Sequence, residues 1–268
     1  MITTCTIGFP RIGRHREMKK ALETYWASPN ASSRAHLLST AHAVEADAWT
    51  TQRSAGIDLI ALDGTLYDHV LDTTAYLGLL PSRFGHIPSK LDRYFAAARG
   101  SSSSPSSPSS TPALDLSKFF DTTYHYLAPE LSPDSHPSPD WSPFIDRVSR
   151  GQAAVGKAHA VPILFGPLSF VALARGTFDS SEMVKRLLGA YVEVLTQLKL
   201  MGVPEVQVVY LFMSRYIKNN NTNLMCIVQS SKHASLPPLP LSPLAHDHQK
   251  KKRKQKTATK PSAFPLST

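Results

Sequence analysis

A chain of 268 residues, 42% hydrophobic and 18% charged, is long enough for one sizeable domain and too apolar to be disordered throughout. No uninterrupted apolar run approaches the ~18 residues of a membrane span, and the N-terminal segment lacks a secretory cleavage pattern; both point to a cytoplasmic chain. The net charge of +9 sits at the C-terminal end, because 19 Lys+Arg balance 19 Asp+Glu up to Gln207 and ten basic residues face only Asp247 beyond it.

The elements expected in chain order alternate strand and helix, which implies an α/β fold with parallel strands. Thr3 to Ile7 reads as a strand, followed by the turn Gly8-Phe9-Pro10-Arg11-Ile12-Gly13 and a helix from Arg16 to Trp26. A second helix fits Ser33 to Arg53, with Leu37, Leu38, Ala41, Val44, Ala48 and Trp49 on one stripe. Ile57 to Leu62 is a compact apolar strand, and Tyr67 to Leu79 a helix. Phe119 to Leu127, Val161 to Phe165 and Val206 to Phe212 supply three more strand candidates. Between the last two, Met183, Leu187, Leu188, Tyr191, Val192, Leu195 and Leu198 give the helix Ser181 to Met201 a 3.6-residue period.

Two segments break the alternation. Ser101 to Pro112 is a Ser/Pro run that cannot repay its ordering entropy and is expected to be a flexible loop; Ser132 to Pro143 is a milder case. Beyond Gln207 the pattern fades into Asn219-Asn220-Asn221, a Pro/Ser/Leu stretch and a basic run from Lys250 to Lys256, so residues 208 to 268 are expected to form a divergent, disordered basic tail.

Eight motifs then act together. GFPRIG (8 to 13), REMKKALETYW (16 to 26), QRSAGID (52 to 58), YDHVLD (67 to 72), LGLLPSRF (77 to 84), FDTTYHYLAPE (120 to 130), GPLSF (166 to 170) and GVPEVQ (202 to 207) resemble, in order and spacing, the N-terminal domain of cobalamin-independent methionine synthase. The resemblance covers about residues 2 to 207. It implies that residues 1 to 207 are a partial folate-binding barrel domain: an incomplete (β/α)8 TIM-type barrel with about five parallel strands rather than eight. The family transfers a methyl group from 5-methyltetrahydropteroyltriglutamate to homocysteine in methionine biosynthesis. Its zinc, held by Cys, His and Glu ligands, belongs to a C-terminal barrel with which nothing here aligns. Two departures are Asp63-Gly64 where the family usually has Gly-Asp, and Val208-Val209-Tyr210-Leu211 where it continues Ile-Asp-Glu-Pro. The abrupt loss of pattern inside a predicted strand suggests a truncated or misread gene beyond Gln207.

Arg16, Glu17, Met18 and Lys19 follow the first strand and turn, where a β/α barrel presents its ligand-facing rim. A polyglutamate tail offers carboxylates that Arg binds bidentately and Lys as a point charge. The resemblance carries the family's folate contacts onto these four residues and onto Lys118; by the residues alone, Arg16 and Lys19 read first as solvated helix charges. Asp121, Tyr124 and His125 close the third strand candidate, where His125 is read as a hydrogen-bonded structural residue or an acid, base or ligand. Asp68 is read first as a helix cap. A metal site needs three or four converging ligands, and neither Cys5 with His125 nor His246 with His248 supplies that spacing, so no cofactor is expected in this chain. The run Lys250 to Lys256 lacks the aromatics that stack on single strands, and nucleic acid is not the expected partner.

The sequence thus implies the N-terminal portion of a methionine synthase, inactive alone, binding 5-methyltetrahydropteroyltriglutamate and monomeric when folded. The competing readings are a non-catalytic remnant that retains folate-polyglutamate affinity, and a basic-tailed protein associated with nucleic acid.

Overall fold

The computed structural model describes residues 2–101, 111–119, 122–210 and 226–229. Its strands are β1 (Ile60–Leu62), β2 (Leu116–Lys118), β3 (His125–Leu127), β4 (Ala160–Phe165), β5 (Gln207–Tyr210) and β6 (Cys226–Gln229). Its helices are α1 (Glu17–Ala27), α2 (Ala31–Ser54), α3 (His69–Tyr76), α4 (Lys90–Arg99), α5 (Ser142–Val155), α6 (Pro167–Leu173) and α7 (Ser180–Leu200), with a single 3-10 turn at Ser82–Phe84.

The α/β class holds, and the central sheet runs β1-β4-β5-β6. Its first three strands are parallel, with Ile60 opposite Ala160 and Ile163 opposite Gln207; β6 is antiparallel to β5. Among the described residues, three strands of this sheet pair in parallel, where the sequence led to an expectation of about five. At the chain start only Cys5 bridges, to Leu59. Thr4 anchors that contact through Asp58 Oδ2, while Ile2 and Ile7 stay exposed. Phe119 to Leu127 also departs from expectation. The Phe119 amide donates to the Tyr124 carbonyl and the Thr122 hydroxyl to the Phe119 carbonyl, folding the segment back as the antiparallel β2–β3 hairpin.

The helices follow their caps and periods. Asn30 and Ser33 form a reciprocal capping box at α2, Asp68 starts α3, and Asp179 accepts the Glu182 amide at 2.8 Å to start α7. The main core packs α5 and α7 on the sheet through Trp49, Leu62, Phe144, Val148, Leu164 and Leu187. A second core under α1, α2 and α4 contains Met18, Tyr25, Leu37, Leu71, Phe84 and Phe95. In α7 the expected single stripe divides: Met183, Leu187, Tyr191 and Leu198 are buried, whereas Leu188, Val192 and Leu195 face outward.

Ser132 to Pro143, expected to be flexible, is tied down. The Ser138 amide donates to the Leu77 carbonyl at 2.9 Å, the Asp140 amide to the Tyr76 carbonyl at 2.7 Å, and Lys90 pairs with Asp140. Its prolines lower the entropy of the unfolded segment, so a few bonds suffice to fix it. The Ser/Pro run at 102–110 lies outside the described residues; its flanks meet where the Ser101 amide donates to the Thr111 carbonyl. Of the region 208–268, Val208–Tyr210 complete β5 and Cys226–Gln229 form β6, a short β-prone CIVQ run. The remainder, with Lys250 to Lys256, His246 and His248, lies outside the described residues, as does Asp121.

Candidate functional site

Polar groups gather where β1 and β4 end. Asp63 directly follows β1, and His69 Nε2, from the first turn of α3, lies 3.1 Å from its Oδ1. Burial alone would raise the Asp63 carboxyl, but the His69 hydrogen bond and the charges of His69, Arg11 and Arg147 outweigh it and hold the group below its ordinary value. Asp68 caps α3 by accepting the Leu71 amide at 2.8 Å and takes the Tyr124 hydroxyl at 2.9 Å. Burial, with Asp68 beside it, pushes the Tyr124 phenol up. Asp63, His69 and Tyr124 border a cavity of about 390 Å³ whose walls also include Arg11, Tyr76, Phe119, Trp141 and Gln207.

Asp72 and Arg147, also in the wall of that cavity, belong to a buried ion cluster joining three helices. Arg147 of α5 places Nε 3.0 Å from Glu45 Oε1 of α2, and Arg150 Nη1 lies 2.6 Å from Glu45 Oε2. Arg147 Nη2 is also 3.9 Å from Asp72 Oδ2 of α3, while the Tyr94 hydroxyl donates to Asp72 Oδ1 at 2.6 Å. Burial drives the Asp72 carboxyl upward despite these partners. It also opposes the Arg147 charge, but Tyr76, Glu45 and Asp72 overcome the penalty and keep the guanidinium firmly protonated. Glu45 approaches Gly64 so closely that a Cβ there would stand 2.2 Å from its Oε1. The Asp63-Gly64 order, a departure from the family pattern, is thus the one this packing accepts.

The expected folate contacts sit apart from the cavity floor. Arg16 is exposed and occupies the N-cap position of α1 with φ 64°, a left-handed conformation uncommon for a side-chain-bearing residue. Gly13, at φ 85°, leaves room for the Glu17 carboxylate, which folds back to accept the His15 amide at 2.9 Å. Backbone N–H bonds from Glu17 itself and from His15 hold that carboxyl below its usual range. Lys19 is exposed with Glu23 at 3.5 Å. Met18 differs from its neighbours: at 5% exposure its side chain belongs to the second core, and its amide donates to the Ile12 carbonyl. Lys118 is exposed on β2, a different element from the α1 turn that gathers the other four.

The plainer readings of two residues hold. Asp68 is a helix cap, and His125, exposed on β3, uses Nδ1 to contact the Thr123 carbonyl at 3.0 Å. For the zinc implied by the family resemblance, the donors present do not fit. Cys5 is exposed beside Leu59, and among the described residues no three His, Cys, Asp or Glu converge. Among those residues no helix is long and apolar enough to cross a membrane. Sequence reasoning missed Arg11, the Asp63–His69 pair and the Glu45–Arg147–Arg150 cluster. Arg11 lay inside the GFPRIG motif, but Glu45 and Arg147 are 102 residues apart and no local pattern links them.

Comparison with known proteins bears on this arrangement. A family model described as the cobalamin-independent synthase, N-terminal domain, matches residues 3–224, extending past Gln207. A 5-methyltetrahydropteroyltriglutamate–homocysteine methyltransferase from a Synechococcus strain is 45% identical over 206 residues, covering 76% of this chain and 26% of the relative. Enzymes of the same name from Trichodesmium erythraeum and Nitrosomonas europaea are 40% and 39% identical over 208 and 211 residues, again with 26% of each relative covered. The chain therefore spans about a quarter of the length of these relatives.

Proposed function

The chain belongs to the cobalamin-independent synthase family through its N-terminal domain, and from that premise we propose that it supplies the folate-polyglutamate contacts of a methionine-forming methyltransferase. The observation that carries this reading is the first turn of α1. Arg16 and Lys19 stand exposed there, at the motif REMKK, beside the positive end of an 11-residue helix. Carboxylates of a glutamate tail meet two cations and a favourable dipole, and Lys118 on the β2–β3 hairpin offers a third charge farther along an extended tail. Glu17 orders the turn by accepting the His15 amide, and Met18 anchors it in the second core.

On the same reading, the parallel β1, β4 and β5 with their intervening helices form part of a (β/α)8 barrel, in a cytoplasmic monomer. The relatives' names identify the methyl donor as 5-methyltetrahydropteroyltriglutamate and the acceptor as homocysteine. Zinc, in the family, activates the homocysteine thiolate outside the region matched here, so this chain alone forms no methionine. Detection of methionine from the purified chain would remove that part of the proposal.

Replacing Arg16, Lys19 and Lys118 together by Gln tests the binding role. Each exposed cation is worth roughly three- to tenfold in affinity, so the triple variant should lose triglutamate binding almost entirely while its thermal unfolding stays unchanged. Unaltered affinity in a folded triple variant would eliminate these residues as the site.

A further inference from the structure

The backbone of Arg16 is held where an arginine does not settle by itself. At φ 64° and ψ 36° it is left-handed, and among the described residues no other residue with a side chain has positive φ. For an L-residue that conformation is disfavoured roughly tenfold against the right-handed one. Backbone bonds close the turn around it: the Arg16 amide donates to the Gly13 carbonyl at 3.3 Å, the Met18 amide to the Ile12 carbonyl at 3.1 Å and the Lys20 amide to the Arg16 carbonyl at 3.2 Å. The His15 amide is taken by a side chain instead, Glu17 Oε2 at 2.9 Å. That oxygen lies over Gly13, where a Cβ would stand 2.0 Å from it.

The charged neighbours divide the work. Arg14 is committed outward to α2, with Nε and Nη2 on the Asp47 carboxylate at 2.9 and 3.0 Å and Nη2 also on the Thr51 hydroxyl at 2.9 Å. Arg16, between Arg14 and Glu17, has no hydrogen-bond or ion-pair partner among the described residues. Glu17 puts a negative charge beside Arg16, which by itself repels a glutamate tail. Folded onto the His15 amide, its carboxylate acts on the turn.

We propose that Glu17 is a positioning residue of the glutamate-tail contact: by clamping the His15 amide it keeps Arg16 left-handed and its guanidinium presented, without meeting the ligand itself. Released, the turn would hold that conformation only a minor part of the time, and the Arg16 contact would weaken in proportion. The inference rests on the glutamate-tail reading above and gives Glu17 a role other than the direct contact implied by the resemblance.

Calorimetric titration of the full chain with triglutamated 5-methyltetrahydrofolate tests it through substitutions that separate charge from clamp. Glu17→Gln removes the charge but keeps an acceptor at the same reach, so its affinity should stay within about twofold of the parent's. Glu17→Asp keeps a charge that suits the start of α1 but is one methylene short of the His15 amide. It should lose roughly three- to tenfold, as should Glu17→Ala. Neither loss can exceed that of Arg16→Gln, through which the effect runs, and in an Arg16→Gln background Glu17→Ala should weaken binding no further. The Gln and Asp variants each change a single group, so their comparison decides even where Glu17→Ala fails to fold. Tighter binding by Glu17→Gln with unchanged binding by Glu17→Asp means that Glu17 acts by charge alone and overturns the proposal. So does a Glu17→Ala loss that persists undiminished in the Arg16→Gln background, the result expected of a direct ligand contact. Both outcomes leave the glutamate-tail reading standing. An Arg16→Gln chain that binds the triglutamate as tightly as the parent, or a parent that does not bind it, removes that reading and this inference with it.

Discussion

At Arg147, two carboxylates and a phenol surround one guanidinium that solvent scarcely reaches, its side chain being 13% exposed and that of Glu45 11%. Such a cluster gives little net stability when complete, but removing one member leaves buried charge without compensation. Arg147→Met is therefore expected to destabilise the chain by about 3–5 kcal/mol in urea unfolding. A loss below about 1 kcal/mol would mean that Glu45 and Asp72 are satisfied without it. None of this was legible in the sequence, since Arg147 lies in an ordinary amphipathic helix and its partners lie on α2 and α3. What could be read locally was read correctly: Asp68 before its helix marks a cap, and the cap forms.

Elements with strong internal periodicity were legible, and those fixed by their surroundings were not. α1, α2 and α7 follow their apolar spacing, yet that spacing could not distinguish the buried face of α7 from its outward seam. Phe119 to Leu127 has strand composition, but composition does not choose a partner, and Thr122 turns the chain back into a hairpin. Ser132 to Pro143 is ordered by bonds to α3 and to Lys90, which a Pro-rich composition does not disclose. That last contact has a pH signature. Hydrogen bonding by Lys90, then by Ser142, lowers the Asp140 carboxyl from its ordinary 3.8 to about 2. The unfolded chain binds more protons between those values, so the contribution of Asp140 is complete above pH about 4 and is lost as pH falls towards about 2. Asp140→Asn should remove that portion of the acid dependence of the urea midpoint. A midpoint curve superimposable on the parent's would show that the ion pair does not hold the loop.

On the scale of the whole molecule, family membership rests on motifs dispersed from GFPRIG to GVPEVQ, each short and informative only in order. The α/β class followed from the same alternation. The number of parallel strands did not, because strand pairing depends on edges and covers that no single segment encodes. Arg16 and Lys19 stand exposed at the start of α1, as the proposed polyglutamate contact requires, while the ion cluster ties α2, α3 and α5 together. The central claim is that exposed cations of this domain hold a folate by its glutamate tail. Calorimetric titration of the full chain with triglutamated and monoglutamated 5-methyltetrahydrofolate, at low and high salt, tests it most directly. The account predicts a preference of at least roughly tenfold for the triglutamate that shrinks as salt screens the contacts. Equal affinity for both forms, or no binding of either, would contradict it.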